Sequence, residues 1–225
     1  MSGDAPSGLK SGARIGLDES GKGDYFGPLV VGAVYADDDT DPKLREMGVR
    51  DSKRLTDKRI TVLASEIKAL CPYSVVVINP ARYNQLYERF SNLNRLLAWA
   101  HARALENVLG KVRCDLAIAD QFGDESFLIN ALLKRGRQVR LEQRPRAEAD
   151  LAVAAASILA RAEFVERIEQ LSEQVGRPLP KGASNPDIIA AGLEIVREGG
   201  RAALGDVAKL HFRTTEVITS RQPES

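Results

Sequence analysis

Cysteine, histidine and tryptophan are all scarce here: two, two and one in 225 residues. The two thiols, Cys71 and Cys114, are too few and too isolated for a disulfide framework, and they point to a reducing, cytoplasmic compartment. With only His101 and His211 to join them, the chain has no Cys/His set for a soft-metal site. No apolar run approaches the roughly 20 residues that cross a bilayer, so no membrane helix is expected. Net charge is also nearly absent, with 32 Lys plus Arg against 31 Asp plus Glu, a balance of +1. That balance excludes a uniformly basic coat but leaves room for a local basic groove. Residues 1–12 are rich in Gly, Ser, Ala and Pro and have no apolar signal core, so they are expected to form a disordered tail.

What is present is a core. Hydrophobic residues make up 44% of the chain, enough for one α/β domain, taken here as residues 13–225. Short β-branched runs predict strands at Arg14 to Asp18, Pro28 to Tyr35, Ser74 to Asn79, Asp115 to Asp120 and Gln138 to Gln143. Helical spacing of apolar residues predicts helices at about Thr56 to Leu70, Asn92 to Leu109 and Phe127 to Leu133. A long helix is expected from near Arg146 past Leu171, and a capped one from Pro186 to Arg197. The glycine-rich link between the first two strands favours a hairpin. The helices before the fourth and fifth strands favour parallel crossovers. The expected fold is a mixed five-stranded sheet with helices on both faces, followed by a helical C-terminal region.

The most informative stretch is Asp18-Glu19-Ser20-Gly21-Lys22-Gly23. Two adjacent carboxylates end an apolar strand and lead into a basic, glycine-rich turn. Successive strand residues face opposite sides, so Asp18 and Glu19 share a site only if the chain turns there. Asp120 ends the fourth strand after Leu116-Ala117-Ile118-Ala119, and Glu148 follows the fifth. If the first and fourth strands are neighbours, these acids gather at one sheet edge. Hard oxygen donors of this kind suit Mg²⁺ or Mn²⁺ rather than softer metals. Gly16, Gly21 and Lys22 imitate the start of a phosphate-binding P-loop. Gly23 stands where the hydroxyl ligand belongs, and two intervening acids repel nucleotide phosphates, so that reading is set aside.

These residues resemble the type 2 ribonucleases H, and most of all their ribonuclease HIII branch, over nearly the whole span from Arg14 to Val217. Asp18 to Pro28 is similar to the first motif and Asp51-Ser52-Lys53-Arg54-Leu55 to the second. Tyr83-Asn84, Asn92-Leu93-Asn94 and Leu97 to His101 are similar to a stretch typical of the HIII branch. Asp120-Gln121-Phe122 resembles the third motif, and Arg146-Ala147-Glu148 with Ala154 to Arg161 the fourth. Leu179 to Ser184 and Leu210-His211-Phe212 are similar to the C-terminal end.

The resemblance implies a ribonuclease H-like fold and a monomeric endonuclease that hydrolyses the RNA strand of RNA–DNA hybrids with two divalent ions, Mg²⁺ or Mn²⁺. It implies catalytic and metal-binding acids at Asp18, Glu19, Asp120 and Glu148, with Asp150 as the fallback for the fourth. Ser20, Gly21, Lys22 and Gly23 are then expected at the substrate's 2′-hydroxyls. Ser52, Lys53, Arg54, Ser157 and Arg161 are expected at the DNA backbone. His211 is expected to pack or to relay a proton, and His101 to pack against the sheet. Primer removal in DNA replication, or R-loop clearance, would be the cellular task.

Two departures from the family pattern matter. Typical HIII proteins carry an N-terminal domain resembling a TATA-binding protein, and it is not expected from the few residues before the first strand. The loop after Lys181 lacks the tyrosine expected in HII enzymes. The alternatives are HII-like incision at single ribonucleotides and non-catalytic hybrid binding.

Overall fold

The computed structural model of the chain describes residues 9–50 and 55–220. Five strands form one sheet: β1 (Arg14–Ser20), β2 (Leu29–Ala36), β3 (Tyr73–Ile78), β4 (Leu116–Asp120) and β5 (Arg140–Arg144). Their order is β3-β2-β1-β4-β5. β1 runs parallel to β4 and β4 parallel to β5, as crossover connections require. The helices are α1 (Asp41–Glu46), α2 (Asp57–Leu70), α3 (Pro80–Phe90), α4 (Leu93–Leu109), α5 (Glu125–Ala131), α6 (Leu151–Gln174), α7 (Pro186–Val207) and α8 (Arg213–Thr219). None is long and apolar enough to cross a membrane.

Contacts divide the chain into two compact units. The first takes the chain up to Glu19, together with Val31–Val76 and Asn94–Ala162. It holds most of the sheet. Val34 and Ala36 of β2 pack with Leu44, with Ile60, Leu63, Ala64 and Ile67 of α2, and with the small residues of α6. Gly16 explains how closely α6 lies on β1: a Cβ there would come within 2.1 Å of the Ala152 backbone. Gly16 is therefore a packing glycine inside a strand, which disposes of the P-loop imitation. Thr56 caps α2 by accepting a hydrogen bond from the Arg59 amide at 3.3 Å.

The second unit takes Ser20–Val30, Val77–Leu93 and the chain from Glu163 onward. Asn185 caps α7 through the Ile188 amide at 2.9 Å, with Pro186 in the first turn. Asn84 of α3 donates to the carbonyls of Gly205 and Ala208 and accepts from the Leu210 amide. It thus binds the stretch that leaves α7.

Several expectations need correction. No helix starts at Arg146. Residues Ala147–Ala149 form a 3-10 turn, and α6 begins only at Leu151, because Asp150 caps it. The helix expected to Arg197 does break at the glycines that follow it, and a second helical stretch within α7 lies beyond them. Gly200 takes a left-handed conformation (φ 68°) and the helix resumes to Val207. α1 and α3 lie outside the expected helices, while α8 falls in the C-terminal region expected to be helical. The inner end of the expected tail has partners: Lys10 pairs with Asp37 at 3.3 Å and Asp39 at 3.0 Å. Cys71 and Cys114 are buried free thiols.

Candidate active site

The sheet register places the acids. The parallel pairing runs Ile15 with Ala117, Gly16 with Ile118 and Leu17 with Ala119. One step further brings Asp18 beside Asp120, on strands about 4.8 Å apart, with both side chains on the same face. That face is the one α6 covers, since Gly16 meets Ala152 and Ser157 reaches Asp18. Asp120 accepts the Ala147 amide at 3.1 Å. This anchors the 3-10 turn carrying Glu148 against the end of β4. Arg146, which opens that turn, holds a left-handed backbone (φ 58°). A non-glycine residue in that region is strained, a feature that gathers at functional sites.

Glu19 behaves differently. β1 continues to Ser20, so the chain has not yet turned at Glu19. Alternation sends Glu19 to the opposite face from Asp18. There it meets His101 of α4, whose Nε2 lies 3.1 Å from Glu19 Oε2. His101 is fully buried and its ring packs on Phe122 at 5.0 Å. A carboxylate partner assigns the imidazole N–H to Nε2, which leaves Nδ1 without a protein donor. His101 was expected only to pack. The signal was legible: it is the polar member of an otherwise apolar helix stripe with Leu97, Ala104, Leu105 and Val108, and a buried polar group needs a partner.

Asp18 carries the electrostatic burden of the edge. Its Oδ1 accepts the Glu19 amide at 2.8 Å and it also accepts the Ser157 hydroxyl. Burial and the neighbouring Glu19 charge nonetheless push its pKa up to about 7. Ser157, expected at a DNA backbone, is buried and orients Asp18 instead. Arg161, expected beside it, pairs with Asp57 at 3.4 Å. Asp150, the fallback for the fourth acid, has partners on both oxygens. Its Oδ2 holds Arg14 at 2.6 Å and its Oδ1 caps α6 through the Ala152 amide at 2.8 Å.

Among the described residues, no three acids, histidines or cysteines yet converge at distances suited to one cation. The reason is visible. Asp18, Glu19 and Asp120 are each turned to a protein donor. The donor set still fits hard divalent ions: the acids are carboxylates, and two of them stand side by side at strand ends.

The basic turn lies in the second unit. Gly21 has φ 83°, and a Cβ there would press within 2.2 Å of the Pro28 carbonyl, so glycine is obligatory. Gly23 is different: it is exposed and a Cβ would meet nothing within 4 Å. The fold does not demand glycine at 23, which leaves an open backbone surface. Lys22 is partly buried and Ser20 ends β1. Asp51, Ser52, Lys53 and Arg54 lie outside the described residues. His211 stacks on Tyr87 at 4.2 Å, and burial with the Lys209 charge pushes its pKa down to about 4.

Parallel strands ending in side-by-side acids, backed by helices on both faces, define a ribonuclease H-like nuclease. The comparisons agree. The family pattern described as Ribonuclease HII matches residues 15–215. A ribonuclease HIII of Protochlamydia amoebophila is 50% identical over 208 residues, covering 92% of this chain and 69% of that protein. One from Chlamydia pneumoniae is 48% identical over 210 residues, covering 92% and 70%. The crystal structure of Bst-RNase HIII in complex with Mn²⁺ superposes with a TM-score of 0.86 at 36% identity, over 94% of this chain and 70% of that one. The ribonuclease H2 from Pyrococcus horikoshii matches with a TM-score of 0.79 at 25% identity, over 93% and 98%. The chain belongs to the ribonuclease HII family and is a ribonuclease H-type endonuclease similar to ribonuclease HIII.

Proposed function

We propose that this enzyme cuts within the RNA strand of RNA–DNA hybrids, using two divalent ions held by Asp18, Glu19, Asp120 and Glu148. The observation that carries the reading is the register of β1 and β4, which sets Asp18 beside Asp120 at parallel strand ends. Bound Mg²⁺ or Mn²⁺ would supply an activated water and charge stabilisation at the leaving oxygen. The chain's own residues do the positioning. Ser157 and the Glu19 amide aim Asp18. The Ala147 amide aims Asp120 and fixes the turn that bears Glu148. His101 steers Glu19, which has to leave it, or share it, to reach the Asp18 side.

Ser20, Gly21, Lys22 and Gly23 follow Glu19 directly in the chain. Their backbone, open at Gly23, suits close approach to a sugar, and hybrids are read by shape, phosphate and the 2′-hydroxyl. Ser52 and Lys53 are proposed at the DNA strand on the motif resemblance alone. A monomeric, cytoplasmic enzyme that removes primers or clears R-loops is the matching cellular role.

The test is cleavage of an end-labelled hybrid beside an all-DNA duplex and a duplex with one embedded ribonucleotide. The expected result is EDTA-sensitive cutting at several positions in the RNA tract and little at the lone ribonucleotide. Binding without cutting at saturating Mn²⁺ and Mg²⁺ would refute the catalytic reading.

A further inference from the structure

Lys209 is the largest anomaly in the second unit. Its side chain is fully buried, yet it makes no carboxylate ion pair among the described residues. Instead its Nζ donates to three main-chain carbonyls: Asp24 at 2.7 Å, Gly27 at 2.7 Å and Phe26 at 3.5 Å. The nitrogen also lies 5.8 Å from the centroid of the buried Tyr83 ring. Burial pushes its pKa down to about 7, with the Asp24 charge opposing that shift. Carbonyl dipoles aimed at the nitrogen, and the face of an aromatic ring, both favour the ammonium. An apolar residue would fill the same volume without the desolvation cost, so a lysine here implies a task beyond packing.

The task follows from what the carbonyls belong to. All three lie in the segment that continues the basic turn. Asp24 is the junction. Its amide donates to the Gly21 carbonyl at 3.3 Å, its side chain accepts the Gly182 amide at 2.7 Å, and its carbonyl accepts Lys209. The main chain adds a strap around the same point. The Lys209 amide donates to the Tyr25 carbonyl at 2.9 Å, and the Gly27 amide to the Val207 carbonyl at 2.9 Å. The side chain of residue 209 therefore closes the turn from Gly21 to Gly27 from inside, while Gly23 stays open outside.

We propose that Lys209 is a positioning residue for hybrid recognition: its buried ammonium fixes the shape of the Ser20–Gly23 backbone that meets the RNA sugar. This rests on the reading of that turn as a substrate contact. The consequence is selective. Loss of the ammonium frees the turn and lowers affinity for an RNA-containing duplex, while contacts to phosphates common to all duplexes remain.

Binding of the full chain to a hybrid and to a DNA duplex of the same sequence, by fluorescence anisotropy in EDTA, tests this. Lys209→Met, folded by circular dichroism, is expected to reduce the hybrid-to-DNA affinity ratio by about tenfold, as displaced recognition geometry does. In Mn²⁺ it should raise KM more than it lowers kcat. Ile188→Ala, a cavity in the same unit, is expected to lower the melting temperature and leave the ratio alone. A folded Lys209→Met with the wild-type ratio overturns the proposal, as does an equal loss of ratio in Ile188→Ala. If Lys209→Met does not fold, Asn84→Ala loosens the strap at its other end, and it must lower the ratio in the same direction. An unchanged ratio there overturns the proposal too. Wild-type protein that cuts hybrids without preferring them in binding sinks this inference alone. Wild-type protein that neither prefers nor cuts them sinks the functional reading as well.

Discussion

The acid edge of the sheet and the strapped turn solve opposite problems. At the edge, Asp18 and Asp120 stand side by side with few donors, and burial next to Glu19 lifts Asp18 to about 7. The edge is left electrostatically unfavourable, and a bound cation would relieve it. In the turn, one lysine, three carbonyls and a main-chain strap over-determine a few residues. The difference separates chemistry from reading. Under the proposed function, the acid edge is completed by a bound cation, whereas the turn is held by protein contacts alone.

The strongest way to break the comparison is at the edge. Replacing Asp120 or Asp18 by Asn should lower hybrid cleavage by roughly a thousandfold or more while hybrid binding in EDTA persists, because charge stabilisation in the transition state is lost and the fold is not. Near-normal turnover in either variant would remove that acid from the site. A second contrast sets Glu148 against Asp150. Glu148→Gln should abolish cleavage with little change in melting temperature. Asp150→Ala should cost about 2 kcal/mol by losing a helix cap and its bond to Arg14, yet keep activity within a few-fold once folded. Thermal melts and initial rates on the same preparations would show a reversal plainly.

A subtler effect concerns pH. The Asp18 carboxyl is raised above its unfolded value, so the native state binds the extra proton between about pH 4 and 7. Metal-free stability therefore falls as pH rises through that window, and the cost is fully present above it. Asp18→Asn removes the cost. It should stabilise the metal-free protein by on the order of 2 kcal/mol at pH 8 and by far less near pH 5. Saturating Mn²⁺ should reverse the ranking at pH 8, since the wild type alone gains the full ligand set. A melting-temperature difference that stays flat with pH would show that Asp18 is not electrostatically strained. The smallest expected effect is at His101. His101→Gln should keep cleavage within about tenfold and shift the Mn²⁺ concentration needed for half-activity, because its hydrogen bond among the described residues goes to Glu19.

Much of this was legible in the chain because it rests on period and composition. The strands carrying Asp18 and Asp120 end apolar runs, so their existence and their acids could be read directly. Helical stripes gave α2 and α4 nearly to the residue. What failed was local geometry decided by partners distant in sequence. Asp150 looked interchangeable with Glu148, until Arg14, 136 residues away, claimed it. Ser157 looked like a surface hydroxyl on a helix, but α6 presses it toward Asp18. The first strand was expected to end at Asp18 and runs two residues further, to Ser20, which sends Glu19 to His101. No spacing rule reveals the Lys209 cage, because its acceptors are main-chain carbonyls with no sequence signature.

The most direct test is to locate Mn²⁺ by anomalous diffraction in crystals of the protein soaked in the ion. The account predicts a peak bridging the Asp18 and Asp120 carboxylates, with Glu148 beside it and Glu19 drawn away from His101. Peaks confined to other surfaces at saturating Mn²⁺, with Asp18 still bound only to Ser157 and the Glu19 amide, would contradict it.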